Sequence, residues 1–270
     1  MPDASPEKAD SNYVEDLALL TRAVEAAGEI ALRYFRNGAR HWLKEGDSPV
    51  TEADMAVDAY LLEQLSAARP AYGWLSEESV NDHARLECRR VFVVDPIDGT
   101  RGFIKRSDEW TICAAVVEEG RSVAAIVHNP MRGEMFAAVR GGGARCNDKP
   151  ISVTSAGELS GARICAAKRA VEPLGEVSGS LRHRYCPSLA YRFALTACGE
   201  VDATVSAGHA HEWDVAAAGL IVEEAGGCVT HLDGALPVFN KATPRVPPII
   251  AAGPPLHAAM RAAFDQNADA

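Results

Sequence analysis

Apolar residues recur three and four positions apart at Val14, Leu17, Leu20, Val24, Ala27, Ala31 and Phe35. That is the spacing of one buried helix face, and it predicts an amphipathic helix over residues 13–36. A loop containing Gly46 and Pro49 follows. A second helix is expected from Thr51, with Val57, Leu61, Leu62 and Leu65 facing inward. The stretch 72–78 (YGWLSEE) reads as a short strand ending in acids. The run 89–95 (RRVFVVD) reads as a buried strand that ends at Asp95. From 109 to 153 the pattern is that of successive strands, with turns at Glu119-Gly120, Pro130 to Gly133 and Gly141 to Gly143.

The rhythm changes near residue 155. Strands at 162–168, 202–206, 227–232 and 247–253 alternate with helices at 188–199, 213–225 and 254–265. The pattern therefore predicts an α+β half over 1–155 and an α/β half over 156–270, packed closely with a site between them.

Composition adds a real core and a charge problem. The 270 residues are 47% hydrophobic, and the formal charge is −10 at pH 7. An acidic chain argues against nucleic acid and anionic membrane surfaces as partners. An anionic ligand would need something positive in its site, and a cation held by carboxylates is the simplest answer. No stretch approaches the ~20 apolar residues that span a bilayer. The first eleven or so residues are polar, read as a disordered tail, and lack a signal peptide's apolar run. Seven cysteines, an odd and scattered set without a C-x-x-C pair, suggest reduced, mostly buried thiols in a cytoplasmic protein.

The chemistry concentrates in residues 95–103 (DPIDGTRGF). A strand would deliver Asp95 to a sheet end. A turn through Pro96 would bring Asp98 back beside it and expose the Ile97 carbonyl. Two carboxylates and a carbonyl are hard oxygen ligands suited to Mg²⁺. The same string is equally an Asx-turn with a helix cap. Gly99 lets the backbone approach a ligand closely, and the Gly99 and Thr100 amides could cradle a phosphate. Phosphatases that use a covalent aspartyl-phosphate carry their acids two apart. Here they are three apart, which favours metal-activated water.

Other acids read two ways. Glu77 and Glu78 are a solvated turn or a source of a third ligand. Thr51 and Asp54 form a helix-capping pattern, or Asp54 orients a water. Asp214 suits the first turn of its helix, or adds a fourth carboxylate. His209 and His211 are hydrogen-bonded histidines or a metal pair on a strand face.

Taken together, Glu77-Glu78, residues 95–103 and residues 213–227 (WDVAAAGLIVEEAGG) resemble the inositol monophosphatase family over nearly the whole chain. The resemblance implies the αβαβα layered sandwich of the inositol monophosphatase and fructose bisphosphatase type, and a Mg²⁺-dependent phosphomonoesterase. It assigns Glu78, Asp95 and the Ile97 carbonyl to a first Mg²⁺. Asp95, Asp98 and Asp214 go to a second, with a third ion near Glu78 as an option. Thr100 and Asp54 would orient the attacking water, Gly99 and Thr100 would bind phosphate, and Lys44 would lie in a loop that closes over the site.

Residues 48–54, 75–78 and 103–106 are closest to the bacterial adenosine bisphosphate nucleotidases of sulfate assimilation. The expected reaction is hydrolysis of adenosine 3',5'-bisphosphate to AMP, with inositol monophosphatase as the alternative. A catalytically idle relative acting through protein contacts is a third option. Ala207, seven before Asp214, replaces the acid with which inositol phosphatases grip inositol hydroxyls. Residues 206–211 (SAGHAH) also depart from the nucleotidase pattern. Arg192 is a candidate for a second phosphate, or a surface arginine. The family suggests a homodimer, and the nucleotidase branch also allows a monomer.

Overall fold

The computed structural model describes residues 10–44, 48–208 and 210–268. Its first half holds α1 (Ser11–Asn37), the hairpin β1 (His41–Leu43) and β2 (Pro49–Thr51), and α2 (Glu52–Ala68). Then come β3 (Gly73–Ser76), β4 (Arg90–Asp98), α3 (Thr100–Ile104), β5 (Thr111–Glu118), β6 (Arg121–Asn129), β7 (Glu134–Val139), β8 (Ala144–Cys146) and β9 (Lys149–Pro150). The second half holds β10 (Arg163–Ala166), α4 (Lys168–Val171), β11 (Arg182–Arg184), α5 (Leu189–Ala197), β12 (Ala203–Ser206), β13 (Ala210–His211) and α6 (Glu212–Glu224). It closes with β14 (Cys228–His231), β15 (Arg245–Val246), β16 (Ile249–Ala252) and α7 (Pro254–Ala268). Short 3₁₀ turns cover His83–Glu87 and Glu172–Ser180.

Five layers result. A seven-stranded sheet runs in sequence order from β3 to β9, parallel only between β3 and β4. A five-stranded mixed sheet has the order β11-β10-β12-β16-β14. On β4 the period-two alternation sends Phe92 and Val94 toward α1 and α2, and Val91 and Val93 toward α5 and α6. The smaller sheet splits likewise: Cys165 and Ala251 face α5 and α6, while Ile164 and Ile250 pack on Leu256 and Met260 of α7. The order is helices, sheet, helices, sheet, helices, the αβαβα sandwich. Helix α6 is buried at Val215, Ala216, Ala217, Ala218 and Leu220 because sheets lie on both sides of it. Such a helix needs apolar residues all round rather than one stripe.

Local chemistry explains the boundaries and several departures from expectation. Asp10 accepts the Asn12 amide (2.8 Å) and starts α1 at Ser11, inside the stretch expected as tail. The remainder of that tail lies outside the described residues. Val14 is 48% exposed, on the wall of a groove between α1 and β7–β8. Leu62 is likewise exposed, one position off the Val57–Leu61–Leu65 stripe. Pro49 belongs to a strand, pairing with Leu43. Strand β4 passes Asp95 and resumes pairing at Asp98, with an irregularity between them where Pro96 lacks an N–H. All seven cysteines are free. Only Cys113, Cys165 and Cys186 are fully buried, against an expectation of mostly buried thiols. Among the described residues no helix is long and apolar enough to cross a membrane.

Candidate active site

Asp95 sits on the α6-facing alternation of β4, at the strand's carboxyl end. Its Oδ1 accepts the Ile97 amide (3.0 Å), closing the turn around Pro96. Its Oδ2 is buried and accepts no hydrogen bond. A buried acceptor left without a donor costs roughly 1–3 kcal/mol, more when charged. Asp98 returns beside it and meets the start of α5. Its Oδ2 accepts from the Ser188 hydroxyl (2.6 Å) and the Ala190 amide (2.6 Å), and its Oδ1 from the Leu189 amide (3.2 Å). Asp214 lies in the first turn of α6, where its Oδ2 accepts the His211 amide (2.7 Å). The cap and the site are therefore one arrangement.

One oxygen from each of Asp95, Asp98 and Asp214 lies within 4.8 Å of the others. Burial, then the neighbouring carboxylates of Glu77, Asp98 and Asp214, raises Asp95 well above the ordinary aspartate range. Burial and Asp98 do the same to Asp214. Burial lifts Asp98 to about 6, against the opposing pull of Ser188 and the α5 amides. Three hard oxygen donors, mutually repelling and with one lone acceptor, fit a divalent cation such as Mg²⁺.

Glu78 does not join that triad. Its carboxylate takes the Lys44 ammonium at 2.7 Å, and Glu77 takes it at 3.2 Å. Burial pushes Glu78 to about 7, with Lys44 opposing and Glu77 adding. Lys44 thus reaches the acids from just beyond β1. The acid loop is itself anchored on α2. Asp58 accepts from Ser76 (2.5 Å) and Ser79 (2.7 Å).

One turn before Asp58, Asp54 is also buried. It accepts the Thr51 amide (2.8 Å) and hydroxyl (2.5 Å) on Oδ2 and the Thr100 hydroxyl (3.1 Å) on Oδ1. Asp54 caps α2 and also meets Thr100. Thr100 Oγ1 also lies 3.0 Å from the Ile97 carbonyl. Burial lifts Asp54 to about 6, despite its bonds from Thr51. Gly99 has a φ of 94°, and a Cβ there would stand 3.1 Å from Ser188 backbone and side chain. Only glycine passes so close to the α5 start.

A pocket of about 300 Å³ opens beside Asp98 and Asp214. Arg101, Arg169, Arg192, Tyr185 and Ala207 line it. Arg192 is not a surface residue. It is buried, its Nε donates to the Cys186 carbonyl (2.6 Å), and its guanidinium lies 4.9 Å from the Tyr185 ring centre. His211 stacks on Trp213 at 4.6 Å, and His209 lies outside the described residues. A larger groove of about 680 Å³ between α1 and β7–β8 contains no member of the triad.

Sequence reasoning missed Asp58, Arg101, Ser188 and Arg169. Asp58 carried a signal, an acid one turn after Asp54 on the same helix, and so did Arg101, directly after Thr100. Ser188 and Arg169 carried none.

The chain matches known proteins along most of its length. A model described as "Inositol monophosphatase family" matches residues 12–268. The chain is 33% identical over 230 residues to Nus factor SuhB of Salmonella typhimurium (strain 14028s / SGSC 2262), covering 81% of this chain and 85% of that protein. It is 33% identical over 224 residues to the histidinol-phosphatase of Chlorobaculum parvum, covering 79% and 84%. It is 29% identical over 230 residues to the 3'(2'),5'-bisphosphate nucleotidase CysQ of Aggregatibacter actinomycetemcomitans, covering 80% and 84%.

Proposed function

The chain belongs to the inositol monophosphatase family and is a phosphatase. From that premise we propose a Mg²⁺-dependent phosphomonoesterase whose substrate carries a second anionic group, with adenosine 3',5'-bisphosphate, released as AMP and phosphate, as first choice. The observation that carries the substrate reading is the arginine wall of Arg101, Arg169 and Arg192 beside the acid triad, in a chain of net charge −10. Such a wall suits a phosphate that is bound but not hydrolysed. It opposes the ammonium of histidinol phosphate. Ala207 offers inositol hydroxyls no carboxylate.

In this reading Asp95, Asp98 and Asp214 would hold one Mg²⁺, Glu78 with Asp95 and the Ile97 carbonyl would hold another, and a third would lie near Glu78. When bound, the ions would supply a water of lowered pKa and positive charge for the phosphoryl transition state. The protein's own groups do the rest. Thr100 donates to Asp54, so its remaining lone pairs are available to accept from the attacking water. As the water gives up its proton to Thr100, the threonine proton passes to Asp54. A carboxylate lifted to about 6 is suited to take it near neutral pH. The Gly99 and Thr100 amides receive the phosphate oxygens. Lys44, which already holds Glu77 and Glu78, is placed to offset phosphate charge. Arg192, held by Cys186 and Tyr185, is preorganised for the second anion.

Phosphate release from adenosine 3',5'-bisphosphate, inositol 1-phosphate and histidinol phosphate, side by side with Mg²⁺, tests this. We expect kcat/KM for the bisphosphate to lead by at least ~10-fold, and Arg192→Met to erase most of that lead. Faster turnover of either other ester overturns the substrate reading. Release from none of the three overturns the placement of the chemistry at this site.

A further inference from the structure

The groups assigned to metal come from opposite halves of the chain: Glu78 follows β3, and Asp214 begins α6. We infer that a buried brace, Glu212–Asn240–Arg85, positions these two elements against each other and so sets the affinity for the metal. This rests on the metal reading above.

Glu212 is fully buried, two residues before Asp214. Its carboxylate accepts the backbone amides of Asn240 (2.6 Å) and Lys241 (3.1 Å). Arg85 is also buried, in the 3₁₀ turn that follows the acid loop. Its Nη1 donates to Asn240 Oδ1 (2.5 Å) and its Nη2 to the Lys241 carbonyl (2.8 Å). Its Nε and Nη2 both donate to Asn81 Oδ1 (3.0 and 2.9 Å). The Asn240–Lys241 segment therefore lies between two opposite charges and is gripped by both.

The backbone is shaped to allow it. Asn240 has a φ of 61°, a left-handed conformation that asparagine tolerates. Gly73 of β3 leaves room, since a Cβ there would stand 2.8 Å from the Arg85 Cβ. Two more bonds complete the tie. Asn81 donates to the Ala242 carbonyl (3.2 Å), and the Glu212 amide to that of Pro244 (3.0 Å). None of these groups belongs to the triad or lines the arginine pocket, so their part in the chemistry is positioning.

A buried carboxylate and a buried guanidinium are costly unless fully satisfied. A merely structural brace would change stability on mutation and leave metal affinity alone. Asn81 is exposed, so Asn81→Ala removes the acceptor for two Arg85 donors without opening the core. Titration calorimetry with MgCl₂ on the chelator-treated full chain reads the result. Asn81→Ala should weaken the Kd about tenfold with little change in melting temperature in chelator. Asn81→Asp keeps the acceptor for Arg85 and gives up only the bond to Ala242, so it should recover most of the affinity that Asn81→Ala loses. Arg85→Lys, lacking the planar fork, should weaken it at least as much as Asn81→Ala.

Parent-like affinity in Asn81→Ala overturns the brace while leaving the metal reading intact, and it decides the matter if Arg85→Lys does not fold. A parent protein that takes up no Mg²⁺, indistinguishable from Asp95→Asn, overturns the metal reading and the brace with it.

Discussion

Replacing Asp95 with asparagine should stabilise the metal-free protein at neutral pH and abolish its response to Mg²⁺. The carbonyl of the introduced amide can still accept from the Ile97 N–H, and its NH₂ would replace an oxygen that accepts nothing. The charge is what changes. Asp98, with three hydrogen bonds to support its ionised form, is still raised from 3.8 to about 6. At ~1.4 kcal/mol per tenfold change in proton affinity, that is about 3 kcal/mol. Asp95 is raised by burial and like-charged neighbours, and its Oδ2, buried without a donor, costs roughly 1–3 kcal/mol, more when charged, which the substitution relieves. For a chain of this size about 3 kcal/mol corresponds to a melting shift of about 6 °C.

The sign depends on pH. Burial and the surrounding carboxylates raise the folded-state pKa of Asp95 above its unfolded value of ~3.9. Its favourable contribution is full below that unfolded value and is lost as pH rises through the folded one. Asparagine does not titrate, so the variant's advantage should be nearly absent near pH 4 and larger near pH 8. Scanning calorimetry in EDTA at both pH values, then in excess MgCl₂, reads all three effects. A variant melting at or below the parent in EDTA near pH 8, or gaining as much from Mg²⁺ as the parent gains, would refute the reasoning.

Thr100→Val removes the hydroxyl that donates to Asp54 but keeps the shape, so kcat should fall about 10²- to 10⁴-fold with KM little changed; steady-state phosphate release checks it. Gly99→Ala puts a methyl against Ser188 and forces a positive φ on alanine, which should cost at least ~1 kcal/mol in a urea titration and displace the start of α5 that donates to Asp98. His257 is buried against the Thr230 hydroxyl, and burial lowers its pKa, so the unfolded chain takes up the proton first. Stability should fall as pH drops below ~6.5, and His257→Gln should flatten that part of a melting profile between about pH 7 and pH 5.

Much of this molecule is legible from period and punctuation. The helix faces of α1 and α2, the strand run of the first half and the strand–helix alternation of the second are local signals. Each is readable where apolar spacing meets a cap or turn. The acid motifs are legible as candidates because strand ends, Asx-turns and N-caps have recognisable strings. What the local pattern does not carry is pairing across long sequence separations. Asp98 and Ser188 are 90 positions apart, and Arg85 and Asn240 are 155 apart. Neither arginine nor asparagine there has a periodic or motif context. Strand β4 reads as stopping at Asp95 because proline usually ends a ladder, yet pairing with Thr111 resumes at Asp98. Leu62 reads as inward on its apolar character alone, although the stripe Val57–Leu61–Leu65 already closes the buried face.

The enclosure of α5 and α6 between two sheets divides the protein into parts that can diverge at different rates. Asp98 and Asp214 depend on interior packing, because one meets the first turn of α5 and the other starts α6. The facing wall comes from segment ends, Arg169 on α4, Tyr185 after β11 and Ala207 after β12, all of them exposed. On the proposed substrate reading, substitutions at Arg169 and Ala207 leave the interior untouched and Tyr185 alone touches a buried group, Arg192, so a single scaffold could exchange one phosphoester for another by redrawing a few surface positions. A combinatorial library confined to Arg169, Tyr185 and Ala207 would sample new leaving groups while keeping nearly every member folded.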